Sequence, residues 1–111
     1  MDLETVQEVI SFFMEKLEQS GITIDAIILF GSYARNHQTM FSDIDLAVIS
    51  RQFAGVNILD RVPMICKYEW ATVERFHIPL DVILLTSEEY EQENSIRMSF
   101  IRQGIPVSAL A

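Results

Sequence analysis

Apolar residues near the start of the chain recur at the spacing of a helix. Between residues 2 and 19 they follow one another in steps of three and four, which predicts one amphipathic helix. The apolar stripe of this helix consists of Leu3, Val6, Val9, Ile10, Phe13, Met14 and Leu17. Gly21 follows as a C-terminal stop. This pattern indicates packing against a core and carries no visible chemistry.

Three later segments are short and almost continuously apolar, which favours buried strands. They cover residues 22–30, 43–50 and 80–85. The second strand begins with two aspartates, and the third carries a single aspartate, Asp81, inside the run LDVILL. An isolated carboxylate in such a run is costly to bury without a cation or hydrogen bonds.

Two further helices are predicted between and after these strands. Residues 56–76 keep helical spacing, and Pro63 places the start of the main helix near Asp60, with Asn57 as the alternative cap. Thr86 and Glu89 form a capping box for a last helix that Gly104 can end. Within the last helix we expect Ile96, Phe100 and Ile101 to face the core, and residues 105–107 to add an edge strand.

Composition limits what this arrangement can be. With 111 residues, half of them apolar, the chain predicts one α/β (α+β) domain over residues 1–111. No apolar run approaches the roughly 20 residues of a membrane span. The acidic N-terminus lacks a secretory pattern, and a single cysteine excludes an internal disulfide, so we expect a cytoplasmic protein without membrane contact. A net charge of −8 with scattered Lys and Arg argues against direct nucleic-acid binding.

The candidate chemistry lies in one stretch, IILFGSYARNHQTMFSDIDLAVI. Asp43 and Asp45 are two residues apart, so an extended strand projects both carboxylates from one face. Gly31 and Ser32 precede them by ten residues, where the chain must turn after a buried strand. Glycine allows a close approach to a ligand, and free N–H groups there can hold an anion that Arg35 could also reach. A simple helix cap is the competing interpretation of Ser32.

If the third strand lies beside the second, Asp81 can stand next to the other two acids. Three carboxylates together repel one another unless divalent cations neutralise them. Asp43, Asp45 and Asp81 therefore indicate a metal-assisted reaction on a nucleotide. An Asp-x-Asp pair alone is a weak signal, and the Gly-Ser turn at a fixed distance before it makes the combination specific.

The Gly31-Ser32 turn, the Asp43-Ile44-Asp45 segment and a later strand with Asp81 together resemble the nucleotidyltransferase fold of the DNA polymerase β superfamily. The size of the chain is similar to that of the minimal nucleotidyltransferase (MNT) domains. This resemblance implies a small mixed β-sheet with helices packed mainly on one side. It also implies Mg²⁺, with two ions expected, held by Asp43, Asp45 and Asp81.

By the same resemblance, Asp81 takes the proton of the acceptor hydroxyl, and the Gly31-Ser32 turn holds the β- and γ-phosphates with Arg35 nearby. The implied reaction is transfer of a nucleoside monophosphate, most simply AMP from ATP, to a hydroxyl. The sequence departs from the family pattern at Asn36, where glycine is common.

MNT proteins are often encoded beside a HEPN-domain ribonuclease toxin, which they neutralise by adenylylation. A HEPN toxin is therefore the expected protein partner, in a homo- or hetero-oligomer. Two alternatives stay open from the sequence. One is a non-catalytic binding antitoxin of the same fold, and the other is a small-molecule nucleotidyltransferase of the aminoglycoside type, which a missing second domain disfavours.

Overall fold

A computed structural model describes residues 3–107 and the side chains from Glu4 to Val107. Ten elements follow one another: α1 (Leu3–Gln19), β1 (Ala26–Phe30), α2 (Gly31–Ala34), β2 (Ile44–Ile49), a 3-10 turn (Arg51–Phe53), α3 (Ile58–Phe76), β3 (Leu80–Leu85), α4 (Ser87–Gln92), α5 (Ile96–Arg102) and β4 (Ile105–Pro106). Asp2, the predicted first residue of the first helix, lies outside the described residues.

The four strands form one mixed sheet in the order β3-β2-β1-β4. β1 is antiparallel to both of its neighbours, whereas β2 and β3 are parallel and are joined through α3. The small mixed sheet predicted from the sequence is confirmed. β4 contains Pro106 and lies at the edge of the sheet, where a residue without an N–H is tolerated.

Side chains alternate between the two faces of the sheet along each strand, so the core has two layers. One face of the sheet packs with the long helices α1 and α3, and its buried residues include Phe13, Leu29, Leu46, Ile65 and Leu84. The opposite face is covered more thinly by α5, through Met98 and Ile101 against Ile28, Ala47 and Leu85. The helices thus lie mainly on one side, and the thinly covered face is the one that carries Asp45 and Asp81.

The third helix begins earlier than its proline suggested. Its N-cap is Asn57, whose side chain accepts a hydrogen bond from the Leu59 N–H at 3.0 Å, so Pro63 lies inside the helix. The helix therefore starts two residues before Asp60, and the alternative cap, Asn57, is confirmed. Pro63 leaves the Leu59 carbonyl without its usual donor, and Leu59 is 80% exposed, so solvent can hydrate that carbonyl.

The last helical region is also divided differently from the prediction. The Thr86–Glu89 capping box is confirmed, but α4 ends at Gln92 and α5 starts anew after Ser95, whose side chain accepts from the Met98 N–H at 3.2 Å. Because α5 begins anew after Ser95, its side chains point in other directions than they would in one continuous helix. Ile96 and Phe100, predicted to face the core, are 80% and 51% exposed, whereas Ile101 is buried as predicted.

Within residues 3–107, none of the helices combines the length and apolar character that crossing a membrane requires.

Candidate active site

Two of the predicted acids stand directly opposite each other on neighbouring strands. Asp45 of β2 is in register with Asp81 of β3, and registered residues of parallel strands project from the same face of the sheet. Asp81 is exposed and Asp45 is partly buried. Asp43 lies one residue before β2 and is exposed at the same end of the sheet. Residues 36 positions apart in the chain are thus brought together by one parallel pairing.

The turn after β1 is built against Asp45. Phe30, the last residue of β1, pairs with Asp45 across the antiparallel ladder, and Gly31 follows with a φ of +75°. A Cβ atom on Gly31 would lie 2.1 Å from Oδ2 of Asp45 and 2.9 Å from its Cγ. Only glycine therefore fits between this turn and the carboxylate, which explains the Gly-Ser turn preceding the acids.

The electrostatics of the site disfavour full ionisation of the acids. Burial, and then repulsion by Asp81 and Asp43, raise the pKa of Asp45 from its ordinary value of 3.8 to about 6, and a hydrogen bond with Asp81 acts in the same direction. Glu69 of α3 has a raised pKa as well, because of its burial and the charge of Asp81. Nothing in the sequence singles out Glu69, because its spacing in α3 does not distinguish it from surface acids.

These oxygen donors suit a hard cation such as Mg²⁺. The three predicted acids are not gathered into a ready-made ligand set, since the described residues contain no group of three or more His, Cys, Asp or Glu placed to hold a metal ion. Mg²⁺ is usually held by one or two carboxylates together with substrate phosphates rather than by a cage of protein ligands. The opposed Asp45 and Asp81 fit that type of site.

The remaining predicted residues lie on or next to the short helix α2. Its N-cap is Phe30, without a side-chain cap bond, so Ser32 lies inside the helix and the interpretation of Ser32 as a cap is wrong. Ser32 is partly exposed, and Arg35 is an exposed residue at the helix end. Asn36 has a φ of +57°. Asparagine tolerates this left-handed backbone better than most residues, so a side chain at this position is compatible with the turn.

A cleft of about 290 Å³ opens between α2 and α5, beside Asp45. Its walls include Gly31, Arg35, Asp45, Arg97, Phe100 and Gln103. A larger cavity of about 820 Å³ lies between the start of α3 and α4, lined by Arg61 and Glu89 among others. Neither Asp45 nor Asp81 reaches this larger cavity, and Arg61 and Glu89 bind each other there, so the smaller cleft is the one that accompanies the candidate chemistry.

Replacing Gly31 by Ala is expected to reduce any catalysis at this site at least about 100-fold, because the new methyl group must displace the Asp45 carboxylate. The matched control is Gly55→Ala. Gly55 has a φ of +76°, but a Cβ there meets nothing within 4 Å, so this variant shares the backbone strain without the collision. The turnover rate of the two variants measures the effect. Equal activity of the two variants would show that the contact with Asp45 has no catalytic consequence.

Comparisons with known proteins agree with this geometry. Residues 7–107 match the family model described as polymerase beta, nucleotidyltransferase. A protein of Methanocaldococcus jannaschii with the provisional name protein adenylyltransferase MJ1305 is 33% identical over 86 residues. The match covers 77% of this chain and 58% of the relative, so the chain spans little more than half of that protein.

Two solved structures share the fold. One, described provisionally as a minimal nucleotidyltransferase, has a TM-score of 0.61 at 22% identity, with 96% of both chains covered. The other is a toxin-antitoxin structure with AMP-PNP, with a TM-score of 0.54 at 23% identity, covering 86% of this chain and 69% of that one. The family match spans most of the chain and includes the opposed acids and the glycine turn, and the chain therefore belongs to the polymerase β nucleotidyltransferase family.

Proposed function

We propose that this protein transfers a nucleoside monophosphate, most simply AMP from ATP, to a hydroxyl group of a protein partner in a Mg²⁺-dependent reaction. The observation that carries the proposal is the pair of opposed carboxylates, Asp45 and Asp81, beside a glycine turn that fits closely against one of them. Burial of Asp45 and its repulsion by Asp81 cost free energy, and that cost is recovered when a cation and phosphates occupy the site.

In the reaction, an oxygen of the acceptor hydroxyl forms a bond to the α-phosphorus of the nucleotide. The bond from that phosphorus to the oxygen bridging to the β-phosphate breaks, and pyrophosphate leaves. Bound Mg²⁺ would stabilise the negative charge on the attacking and leaving oxygens. Asp43, Asp45 and Asp81 would hold the metal, and Asp81, which is exposed at the sheet edge, accepts the proton of the hydroxyl.

The turn after β1 positions the phosphates. The backbone of Gly31 and Ser32 and the Ser32 hydroxyl face the β- and γ-phosphates in this proposal, and Arg35 supplies positive charge from the end of α2. This role needs Gly31 to lack a side chain, since a Cβ on Gly31 would collide with the Asp45 carboxylate and Gly31 also borders the cleft.

A protein acceptor is supported by the surface around the acids. Met40 and Phe41 lie just before Asp43 and are 89% and 84% exposed. Large apolar side chains exposed together are typical of a surface that contacts another macromolecule. The relative named as a protein adenylyltransferase and the toxin-antitoxin structure support the same direction, and a HEPN ribonuclease toxin is the partner that we propose.

The test is incubation of the protein with ATP, Mg²⁺ and a co-encoded HEPN-domain protein, followed by intact mass measurement of the partner. We expect the added mass of one or more AMP groups, and none with the Asp45→Asn variant. A partner of unchanged mass would contradict the enzymatic proposal.

The same experiment separates the binding antitoxin from the enzyme. If the Asp43→Asn, Asp45→Asn double variant still neutralises the ribonuclease activity of the partner, binding alone is sufficient and the catalytic account is wrong. A small-molecule nucleotidyltransferase would instead leave the partner unmodified and release pyrophosphate only with a hydroxyl-bearing antibiotic such as an aminoglycoside.

A further inference from the structure

The cleft beside Asp45 has a second wall that no residue of the family pattern accounts for. Gly31, Arg35 and Asp45 form one side, and Arg97, Phe100 and Gln103 of α5 and its end form the other. We propose that this second wall holds the base of the nucleotide, with Phe100 stacking on the ring and Gln103 facing its polar edge. This inference rests on the proposed function, because it assigns the donor nucleotide an orientation in that site.

The position of α5 is fixed by two features of its sequence. Met98 and Ile101 are fully buried under the sheet, which sets the rotation of the helix. Gly104 follows the helix so closely against β1 that a Cβ there would lie 2.5 Å from the Leu29 carbonyl oxygen. Because the helix is held at both places, the direction of Phe100 into the cleft follows from the backbone.

Phe100 is an aromatic side chain that is half exposed at the border of the cleft. It is 51% exposed and borders a cleft, whereas its neighbour Ile101 is completely buried. Every nucleobase presents a π-face, and stacking of a base on an aromatic side chain is favourable without regard to sequence. The exposed phenyl ring lines the same cleft as the turn at Gly31, so a nucleotide whose phosphates contact that turn can stack its base on the ring.

The polar groups of the cleft match the rest of a nucleotide. The side-chain amide of Gln103 both donates and accepts, as the edge of a base requires. Arg35 and Arg97 are two of only eight Lys and Arg residues in a chain of net charge −8, and both border this cleft. Arg97 is paired with Glu93 at 3.2 Å on the surface, and such exposed pairs are weak, so a phosphate can compete for Arg97.

The occupant is distinguished from other ligands by comparing two probes, Mg-ATP and Mg-tripolyphosphate, which share the phosphate chain but differ in the nucleoside. Binding is measured by isothermal titration calorimetry on wild type and Phe100→Ala. We expect Phe100→Ala to weaken Mg-ATP about 10-fold and to leave Mg-tripolyphosphate within about 2-fold. Phe100→Tyr, which keeps the ring, is expected to bind both probes as wild type does.

Ile96→Ala is the matched control, since Ile96 is an exposed apolar residue of the same helix that does not border the cleft. It is expected to change neither affinity. Equal weakening of both probes by Phe100→Ala, or no weakening of Mg-ATP, would overturn the base-binding role. The base-binding role would also be overturned if Phe100→Ala lowered modification of the partner protein without changing nucleotide affinity. The second wall of the cleft would then contact the acceptor instead. Failure of wild type to bind either probe would overturn the proposed function as well.

Discussion

Replacing Asp45 by Asn is expected to abolish nucleotidyl transfer and, at the same time, to make the metal-free protein more stable. The two effects have one cause. At neutral pH the Asp45 carboxylate is partly buried opposite Asp81, and the fold holds these negative charges together only at a cost. Asp45 holds the metal ion in the proposed reaction, and loss of its charge is expected to lower the rate about 1,000-fold or more.

The stability effect has a defined pH window. The pKa of Asp45 is about 6 in the folded protein and 3.8 ordinarily, so the folded state binds the extra proton between these values. The penalty from ionising Asp45 is absent below about pH 4, grows through this interval and is complete above pH 6. In the presence of a chelator, Asp45→Asn should therefore raise Tm by about 4 °C at pH 7.5, equivalent to about 1 kcal/mol after solvent screening, and by almost nothing at pH 4.

Thermal unfolding followed by circular dichroism measures this difference, with Asp43→Asn as the comparison. Asp43 is exposed and precedes the strand, so its replacement is expected to change Tm by less than about 2 °C. A Tm of Asp45→Asn below that of wild type at pH 7.5 would show that the carboxylate is stabilised by its surroundings. The combination of higher stability and lost activity is typical of residues selected for chemistry rather than for folding.

The site could be predicted from the sequence because its parts are local signals joined by one simple pairing. Asp43 and Asp45 are adjacent on one strand, and the Gly31-Ser32 turn follows directly from a buried apolar run. The third strand was predicted as residues 80–85, which is its observed extent, and its parallel pairing with β2 puts Asp81 in register with Asp45. The roles of these residues in metal and phosphate binding stay predictions.

The second wall of the cleft could not be predicted in the same way. One continuous last helix would turn Phe100 toward the core, whereas the new helix start capped by Ser95 leaves Phe100 exposed. Trp70 keeps the apolar period of α3, yet it is 69% exposed and lies outside the core. Apolar side chains at a helical period show that a helix has an apolar face, but the phase of a short helix depends on where it is capped.

Arg61 is the residue whose removal is expected to destabilise the fold most among the charged residues described, and the sequence analysis did not identify it. It is 5% exposed and lies inside α3. Its guanidinium donates to both carboxylate oxygens of Glu89, at 2.6 and 3.1 Å, and to the Leu84 carbonyl at 3.1 Å. Its Nε donates to the Val56 carbonyl at 2.9 Å. One side chain thus joins α3, the end of β3 and the start of α4.

Arg61→Ala is expected to lower the free energy of unfolding by about 3–5 kcal/mol, because Glu89 and two backbone carbonyls lose their donor. For a domain of this size that is a large part of the total stability. Urea unfolding at pH 7 measures the change. The control is Glu93→Gln, which removes the charge from the exposed pair with Arg97 and is expected to cost less than about 0.5 kcal/mol.

Glu89→Gln distinguishes the contribution of the ion pair to stability from that of the capping box. Glutamine can still accept from the Thr86 N–H, as Glu89 does at 2.8 Å, but it leaves the buried Arg61 charge unpaired. We therefore expect Glu89→Gln to lower the free energy of unfolding by less than Arg61→Ala does and by more than Glu93→Gln does. Arg61 holds the pKa of Glu89 below its ordinary value, so the pair stabilises the protein above pH 4.5 and loses that contribution as the pH falls through the folded pKa. The difference between wild type and Glu89→Gln should accordingly shrink in acid, and a difference independent of pH would show that the charge of Glu89 is not what Arg61 binds.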